Sequence, residues 1–381
     1  MLKVGSDFSG VGAFNQALLR LGKPFNEVFA CDMDKYARQT FIENYGEPEY
    51  YPTNVYEREI PQESLDVYMT SPPCQAFSMA GKRLGKEDKR GILFFNSYEF
   101  IQKNKPRFFI FENVKGLLSE DNGKTFQEWV NMLGGKSVNG LPVLFPYEES
   151  VPYHLYYKVL NAKEHGVPQN RERIFLIGIR DDKDNNFRFP VEEHLTKRLK
   201  DVLEDNVDEK YFLSEKLING FLKHNDNHNE KGTGFIFKPK NENEIANCLR
   251  SNAALASTDN TIKVKYGLKN NNRSNFNYGC HKLNKTLDIN LNKIKIDEPL
   301  ILDVHNRSVH NYSPSLTEPH HNTTRLWDGY LIRKLTPREY FRLMDFPDTF
   351  TWSCSDSQAY KQAGNSIVVN VLYKILKNLP L

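Results

Sequence analysis

A cysteine at position 74 follows two prolines, in Thr70-Ser71-Pro72-Pro73-Cys74-Gln75, where an apolar run ends. Successive prolines fix φ and stiffen the approach to the thiol. The residues behind it, Gln75–Gly91, hold Gly81, Gly85 and Gly91, with five basic side chains (Lys82, Arg83, Lys86, Lys89, Arg90) against two acids (Glu87, Asp88). A rigid approach and a basic, glycine-rich exit suit a nucleophilic thiolate beside a lid that grips phosphates. The plain alternative is a small buried cysteine and a solvated loop, which is what most cysteines are. A carboxylate, Glu112, ends a second apolar run in Glu112-Asn113-Val114. Partly desolvated, it would keep or share a proton near neutral pH; otherwise it is a helix cap or a surface acid. In Gln169-Asn170-Arg171-Glu172-Arg173 the two arginines share one face of a strand. Their forked guanidiniums suit a carboxylate, a phosphate or a base carbonyl, or simply a surface cluster with Glu172. Finally, Phe8-Ser9-Gly10-Val11-Gly12 lies twenty residues before Asp32. Glycines there admit a ligand to a helix N-terminus, and an acid at that spacing accepts bonds from two ribose hydroxyls. Asn15 stands where GxGxxG would have its third glycine, which favours a nucleoside over a dinucleotide.

These groups need a scaffold that presents strand ends together. The sequence predicts strands at Leu2–Val4, Val28–Cys31, Leu65–Met69, Arg107–Phe111 (stopping at Glu112) and Arg173–Ile179. Helices are predicted at Phe14–Leu21, Tyr36–Tyr45 and Ser97–Lys103. This alternation argues for a mostly parallel α/β sheet, whose ligands sit at the carboxyl ends of the strands. From Asp181 to about Asp328 periodicity weakens and asparagine becomes common. Between Arg250 and Ile296, nine Lys/Arg face two acids, a local excess of seven on a chain whose net charge is +3. Order returns at Tyr330, with helices predicted at Lys334–Met344, capped near Thr336-Pro337, and at Ile367–Leu376.

The bulk numbers exclude several classes. The 381 residues suffice for two domains at roughly 150 residues each. With 39% hydrophobic and 12% aromatic residues the chain is not disordered, and near-balanced charge excludes a histone-like polycation. No apolar run approaches the ~20 residues that span a bilayer, and no signal-peptide pattern opens the sequence. Cysteines 31, 74, 248, 280 and 354 are scattered without a CxxC pair, which points away from structural zinc and disulfides and towards a reducing cytoplasm. His224/His228 and His320/His321 have loose metal-like spacing but no evident cysteine or carboxylate partners, so no metal site is expected.

Taken together, these residues resemble the DNA (cytosine-5) methyltransferase family. Asp7–Phe14 looks like its first cofactor motif, Pro72-Pro73-Cys74-Gln75 its catalytic motif, and Glu112-Asn113-Val114 its Glu-Asn-Val motif. Gln169–Arg173 is similar to Gln-x-Arg-x-Arg, Arg333–Glu339 with Met344–Asp348 to the late structural motif, and Gln362–Ser366 to the last motif. All six occur in family order. The resemblance implies an α/β, Rossmann-like S-adenosylmethionine-dependent methyltransferase fold with an inserted irregular target-recognition domain. Residues 1–180 and 330–381 would be catalytic, and 181–329 would bind DNA. Phe8, Gly10, Gly12, Asp32, Asn54, Pro73, Leu93, Asn365 and Ser366 would line the S-adenosylmethionine site. Asn54 departs from the aspartate often found there, leaving its carbonyl to face the adenine amino group. The recognition domain's Thr-Leu landmark has two candidates, Cys248-Leu249 and Ser315-Leu316.

The implied catalytic residues are Cys74, Glu112, Arg171 and Arg173. Cys74 would add to C6 of a flipped-out cytosine, and Glu112 would bond N3 and the 4-amino group. Arg173 would hold O2 and orient Glu112, and Arg171 would meet the target phosphate or support the loop. The expected partner is double-stranded DNA, bound by a cytoplasmic monomer, with no membrane association. The setting would be a restriction–modification system, whose endonuclease acts independently, or a protective or phage enzyme. The alternatives are the same chemistry on RNA, a non-catalytic DNA-binding homologue, and a nicotinamide oxidoreductase resting on the Gly10/Gly12–Asp32 spacing alone.

Overall fold

The computed structural model describes residues 1–73, 92–231, 236–251, 259–265, 300–303, 308–310, 324–327 and 330–381. The chain forms two compact units, Met1–Lys197 with Asn247–Ala253 and Tyr340–Leu381, and Arg198–Ala246 with Ala254–Glu339. Composition shifts at 181 and 330; the compact units instead divide at 198 and 340, and a short piece of the insertion belongs to the first unit.

The first unit is built on an eight-stranded sheet. Its strands are β1 (Leu2–Asp7), β2 (Phe25–Cys31), β3 (Val67–Thr70), β4 (Phe108–Val114), β5 (Ser137–Val138), β6 (Leu141–Pro142), β7 (His154–Asn161) and, after a short β8 (Gln169–Asn170), β9 (Glu172–Ile179). The spatial order is β2-β1-β3-β4-β9-β7-β5-β6. β1 pairs in parallel with β2 and β3, and β3 with β4. β9 then runs antiparallel to both β4 and β7. The expectation of a mostly parallel sheet therefore holds for the β2–β4 half and needs correction beyond it. That reversal matters: the amino end of β9 lies at the carboxyl edge of β4, where Arg173 is opposite Val114. β4 also continues through Glu112 rather than stopping there.

The strands are held by burial on both faces. Phe108, Phe109, Ile110 and Phe111 are each 0% exposed, so each contributes roughly 1.5–3 kcal/mol of transfer free energy. Helices α3 (Ile92–Asn104) and α4 (Lys124–Leu133) place Phe94, Tyr98, Phe126 and Trp129 in one apolar cluster with Phe111 and Leu176. Phe94 stacks on Trp129 at a centroid distance of 4.2 Å. Helix α1 (Ala13–Leu21) packs against the terminal helix (Val369–Lys377), while α2 (Lys35–Tyr45) follows β2.

A short strand β10 (Ala246–Asn247) spans the division at Asn247, and the second unit contains α5 (Glu215–Lys231) and short strands β11 (Thr261–Lys265), β12 (Leu300–Asp303), β13 (Ser308–His310), β14 (Thr324–Trp327) and β15 (Tyr330–Lys334). β11 pairs antiparallel with β15, and β12 with β13 and β14. The helix expected over 334–344 starts later, as α6 (Pro337–Leu343), because β15 occupies Lys334. Its start is a capping box: Glu339 N–H donates to Thr336 Oγ1 at 3.2 Å, and Thr336 N–H to Glu339 Oε2 at 2.8 Å. Arg333 grips the same carboxylate through both Nη atoms, at 2.8 and 2.7 Å. The late motif thus folds as a cap braced by a buried ion pair. Two helices close the chain, α7 (Asp356–Asn365) and α8 (Val369–Lys377).

Candidate active site

The carboxyl edge of β1–β4 carries the glycine turn, Asp32, the Pro72-Pro73 segment and Glu112. After β1, Phe8, Gly10 and Gly12 all have positive φ, of 57°, 55° and 83°. Such a turn costs a non-glycine residue roughly 1–3 kcal/mol, and only Phe8 bears that cost. A Cβ on Gly12 would lie 2.2 Å from the Tyr45 ring, so glycine is required there by both conformation and space. The turn aims its backbone at Asp32: Gly10 N–H donates to Oδ2 and Asp34 N–H to Oδ1, each at 2.8 Å. Each oxygen keeps a lone pair for a ligand. Burial pushes the Asp32 carboxyl up, and the two backbone donors pull the other way. Arg38 lies over the Tyr51 ring at 3.8 Å and donates to the carbonyls of Asp32 and Pro52, tying β2's exit to the loop that carries Asn54. Asn54 turns inward on that loop, its Oδ1 accepting from Tyr56 N–H at 3.1 Å and its Nδ2 donating to Glu57 at 2.9 Å.

Sequence reasoning missed the network beneath this turn. Asp7, 1% exposed, receives Arg58 Nε and Nη2 at 3.0 Å each and Tyr68 Oη–H at 2.6 Å. Arg58 and Tyr68 lie 51 and 61 residues from Asp7, and no local spacing marks them.

Cys74 and the expected Gln75–Gly91 lid lie outside the described residues. Their approach does not. Thr70 Oγ1 is 2.7 Å from Ser97 Oγ, and Asn113 Nδ2 donates to the Pro72 carbonyl at 3.2 Å. The second bond ties the Pro-Pro segment to the end of β4, one residue from Glu112. Pro73 is exposed, and Leu93 is partly buried against the apolar cluster.

Glu112 is 7% exposed and faces Arg173, whose Nε lies 3.1 Å from Oε1. Burial pushes the Glu112 carboxyl up, while Arg173 and then Arg171 oppose it. The reading of Glu112 as a cap or surface acid is thereby set aside. Arg171 is buried too, at 3% exposure. Its Nη1 donates to Leu249 O at 3.1 Å, and its Nη2 to the carbonyls of Gly364 and Ser366 at 3.0 and 2.8 Å. Burial and the neighbouring Arg173 lower it to about 10. The surface cluster with Glu172 is absent: Glu172 pairs with Lys115 instead. Gln169, fully buried, donates to Leu343 O at 2.7 Å. Arg171 therefore joins the Gln169–Arg173 and Gln362–Ser366 segments, with Ser366 buried and Asn365 exposed at their junction. Among the described residues no three His, Cys, Asp or Glu side chains are grouped so as to hold a metal ion, and no helix is long and apolar enough to cross a membrane.

The half-parallel α/β sheet thus carries a glycine turn and a fixed acid on one side and a buried glutamate–arginine pair on the other. Residues 2–380 match the model of the C-5 cytosine-specific DNA methylases. The chain belongs to that family, and it is a methyltransferase acting on carbon 5 of cytosine in DNA. It is 32% identical to the orphan methyltransferase M.SPRI of Bacillus phage SPR, over 99% of this chain and 97% of that protein. It is also 32% identical to the type II methyltransferase M.HpaII of Haemophilus parainfluenzae, over 98% and 88%. The fold is shared with the Dnmt2 methyltransferase of S. pombe, with a TM-score of 0.60 and 17% identity over 99% of this chain and 97% of that one. A Spodoptera frugiperda DNMT2 variant gives 0.65, with 20% identity over 99% of each chain.

Proposed function

We propose that the chain takes its methyl group from S-adenosylmethionine and methylates one cytosine within a specific short double-stranded DNA sequence, with Cys74 as covalent nucleophile. The observation that carries this reading is the buried Glu112–Arg173 pair beside a Pro-Pro segment held by Asn113.

The cofactor pocket would be Phe8, Gly10, Gly12, Asp32, Asn54, Pro73, Leu93, Asn365 and Ser366. The residues suit the group: backbone at Gly10–Gly12 admits close approach, and Asp32 offers two oriented oxygens. Asn54 Oδ1, already bonded once, retains a lone pair for an amino group. When bound, S-adenosylmethionine supplies an electrophilic methyl group for carbon 5. The remaining work falls to the protein. The target base must leave the stack, at a cost of a few kcal/mol. The Cys74 thiolate then forms a bond to C6, and the electron pair displaced into the ring is stabilised by Glu112 at N3 and the 4-amino group. Burial pushes Glu112 towards the protonated form that donates at N3, and Arg173 would orient it while reaching O2. After methylation the C5 proton leaves, the C6–S bond breaks and aromaticity returns.

The second unit, with the basic 250–296 run, is proposed as the target-recognition domain, whose phosphate contacts make binding salt-dependent. The protein would act as a cytoplasmic monomer in a restriction–modification or phage setting, independently of any endonuclease. The test is methyl transfer from labelled cofactor to unmodified plasmid DNA, followed by bisulfite sequencing. Protected cytosines in one recurring context are expected. Cys74→Ala should abolish transfer and keep cofactor and DNA binding; a folded Cys74→Ala protein that still transfers methyl would overturn the assignment. Incorporation into tRNA instead of DNA would move the substrate.

A further inference from the structure

We infer that Asn247–Ser251 is a strap that sets the two site arginines in place, with Cys248 as a positioning residue. This rests on the reading of Glu112 as the acid of the reaction. The strap belongs to the first compact unit although the residues before and after Asn247–Ala253 belong to the second. Leu249, 2% exposed, is fixed through its backbone: its N–H donates to Gln169 Oε1 at 3.1 Å, and its carbonyl accepts from Arg171 Nη1 at 3.1 Å. The Arg250 carbonyl packs so closely on Gly364 that a Cβ there would lie 2.4 Å from the oxygen. The strap thus touches both the Gln169–Arg173 and the Gly364–Ser366 segments, which Arg171 also joins.

Cys248 lies between the guanidiniums. Its Sγ is 3.5 Å from Arg171 Nη1 and 4.0 Å from Arg173 Nη1, and 3.6 Å from its neighbour's carbonyl, Leu249 O. Arg173 Nη1 also donates to Glu172 O at 2.8 Å, leaving Nε to face Glu112 at 3.1 Å. Sulfur is a weak, polarisable acceptor. It fixes the plane of Arg173 without drawing the cation away from Glu112, as a carboxylate at 248 would. Of the two candidate landmark pairs, Cys248-Leu249 meets the arginines and Ser315-Leu316 lies outside the described residues.

Among the described residues, the charged groups bearing on Glu112 are Arg173 and Arg171. Loosening Arg173 leaves burial to dominate, so the protonated acid persists to higher pH. The experiment is single-turnover methyl transfer by the full chain on plasmid DNA across pH, for wild type, Cys248→Val, Cys248→Thr and Glu112→Gln. Cys248→Val removes the acceptor and adds some bulk, which the isosteric Cys248→Thr shares. Its rate should fall about fivefold, the size of one lost weak hydrogen bond. The cofactor KM should stay unchanged, and the alkaline limb of the profile should move to higher pH. Cys248→Thr, which restores an acceptor, should recover most of both. Wild-type behaviour of Cys248→Val beside an impaired Glu112→Gln would bring down the strap alone. So would a loss without any movement of the limb or any rescue by threonine, since that marks a packing defect. An unimpaired Glu112→Gln would instead bring down the reading of Glu112, and the inference with it.

Discussion

The carboxyl edge of one sheet carries two sites built by different means. On the β1–β2 side, above the buried Asp7–Arg58–Tyr68 network, the polar side chains of the turn and its neighbouring loops are held by backbone. Asp32 is pinned by the amides of Gly10 and Asp34, and Asn54 by that of Tyr56. Its shape comes from the positive φ of Phe8, Gly10 and Gly12. On the β4–β9 side, side chains hold each other and the carbonyls around them: Arg173 holds Glu112, Arg171 three carbonyls and Gln169 a fourth. Backbone donors make a rigid, nearly neutral cradle for a ligand that must come and go. Side chains of opposite charge in a dry pocket make a site whose protonation can be set, because burial and ion pairing act on the same carboxyl in opposite directions. The first side should therefore fail when a Cβ is added, and the second when a charge is removed.

The largest effect tests the second half of that statement. Glu112→Gln keeps the shape of the side chain and removes its titratable proton. Loss of a positioned general acid typically costs 10²- to 10⁴-fold, and the single-turnover rate should fall by about that much. Affinity for the cofactor, measured by calorimetry, should stay within about twofold, since loss of one hydrogen bond already exceeds that factor and none is lost on the β1–β2 side. Equal losses in rate and cofactor affinity would erase the distinction between the two sides.

The two sides were not equally legible in the sequence. Gly10, Gly12 and Asp32 are found by spacing because backbone geometry imposes it: a positive-φ turn needs glycine, and the acid must sit at the end of the next strand. Glu112, Arg171 and Arg173 are also visible, as polar residues at the ends of apolar runs. What pattern did not give was the direction of β9, because a short apolar run reads the same in either direction. Only its pairing with β4 brings Arg173 opposite Val114. Arg58 and Tyr68 were invisible for a related reason: a buried ion pair closes across dozens of residues, and nothing local records its partner. In the second unit, α5 and the short strand pairs escaped notice because their apolar periodicity is weak among asparagines and lysines.

Gly12→Ala tests the first half. The new methyl would meet the Tyr45 ring at 2.2 Å on a backbone with φ of 83°. Overpacking costs typically 1–3 kcal/mol, and the left-handed conformation roughly another 1–2. A loss of about 3 kcal/mol, or about a hundredfold in cofactor affinity, is expected. At saturating cofactor the alkaline limb attributed to Glu112 should not move. If Gly12→Ala binds cofactor as tightly as wild type, the turn is not the cradle.

The smallest effect concerns a second place, besides the Asp7–Arg58–Tyr68 network, where the β1–β2 side departs from that rule. Glu27 on β2 meets Asn15 on α1, whose Nδ2 donates to Oε2 at 3.0 Å. Glu27 Oε1 and Asn15 Oδ1 are both buried without a hydrogen-bond partner. A protonated carboxyl has a donor to offer such a site and an ionised one has none. Burial accordingly raises Glu27 from 4.5 to about 7. The folded chain keeps this proton where the unfolded chain has released it. Its contribution to stability is therefore full below pH 4.5 and is lost as pH rises through 7. Glu27→Gln retains the acceptor for Asn15 and carries no charge at any pH. Wild type and variant should unfold at similar urea concentrations at pH 4.5. At pH 8 the variant should be the more stable, by at most about 3 kcal/mol. Asp7, Asp32 and Glu112 are shifted in the same direction in both proteins, so the difference between the two curves isolates Glu27. Parallel curves from pH 4.5 to 8 would mean that Glu27 ionises normally, and that burial beside Asn15 does not set the protonation of this carboxyl.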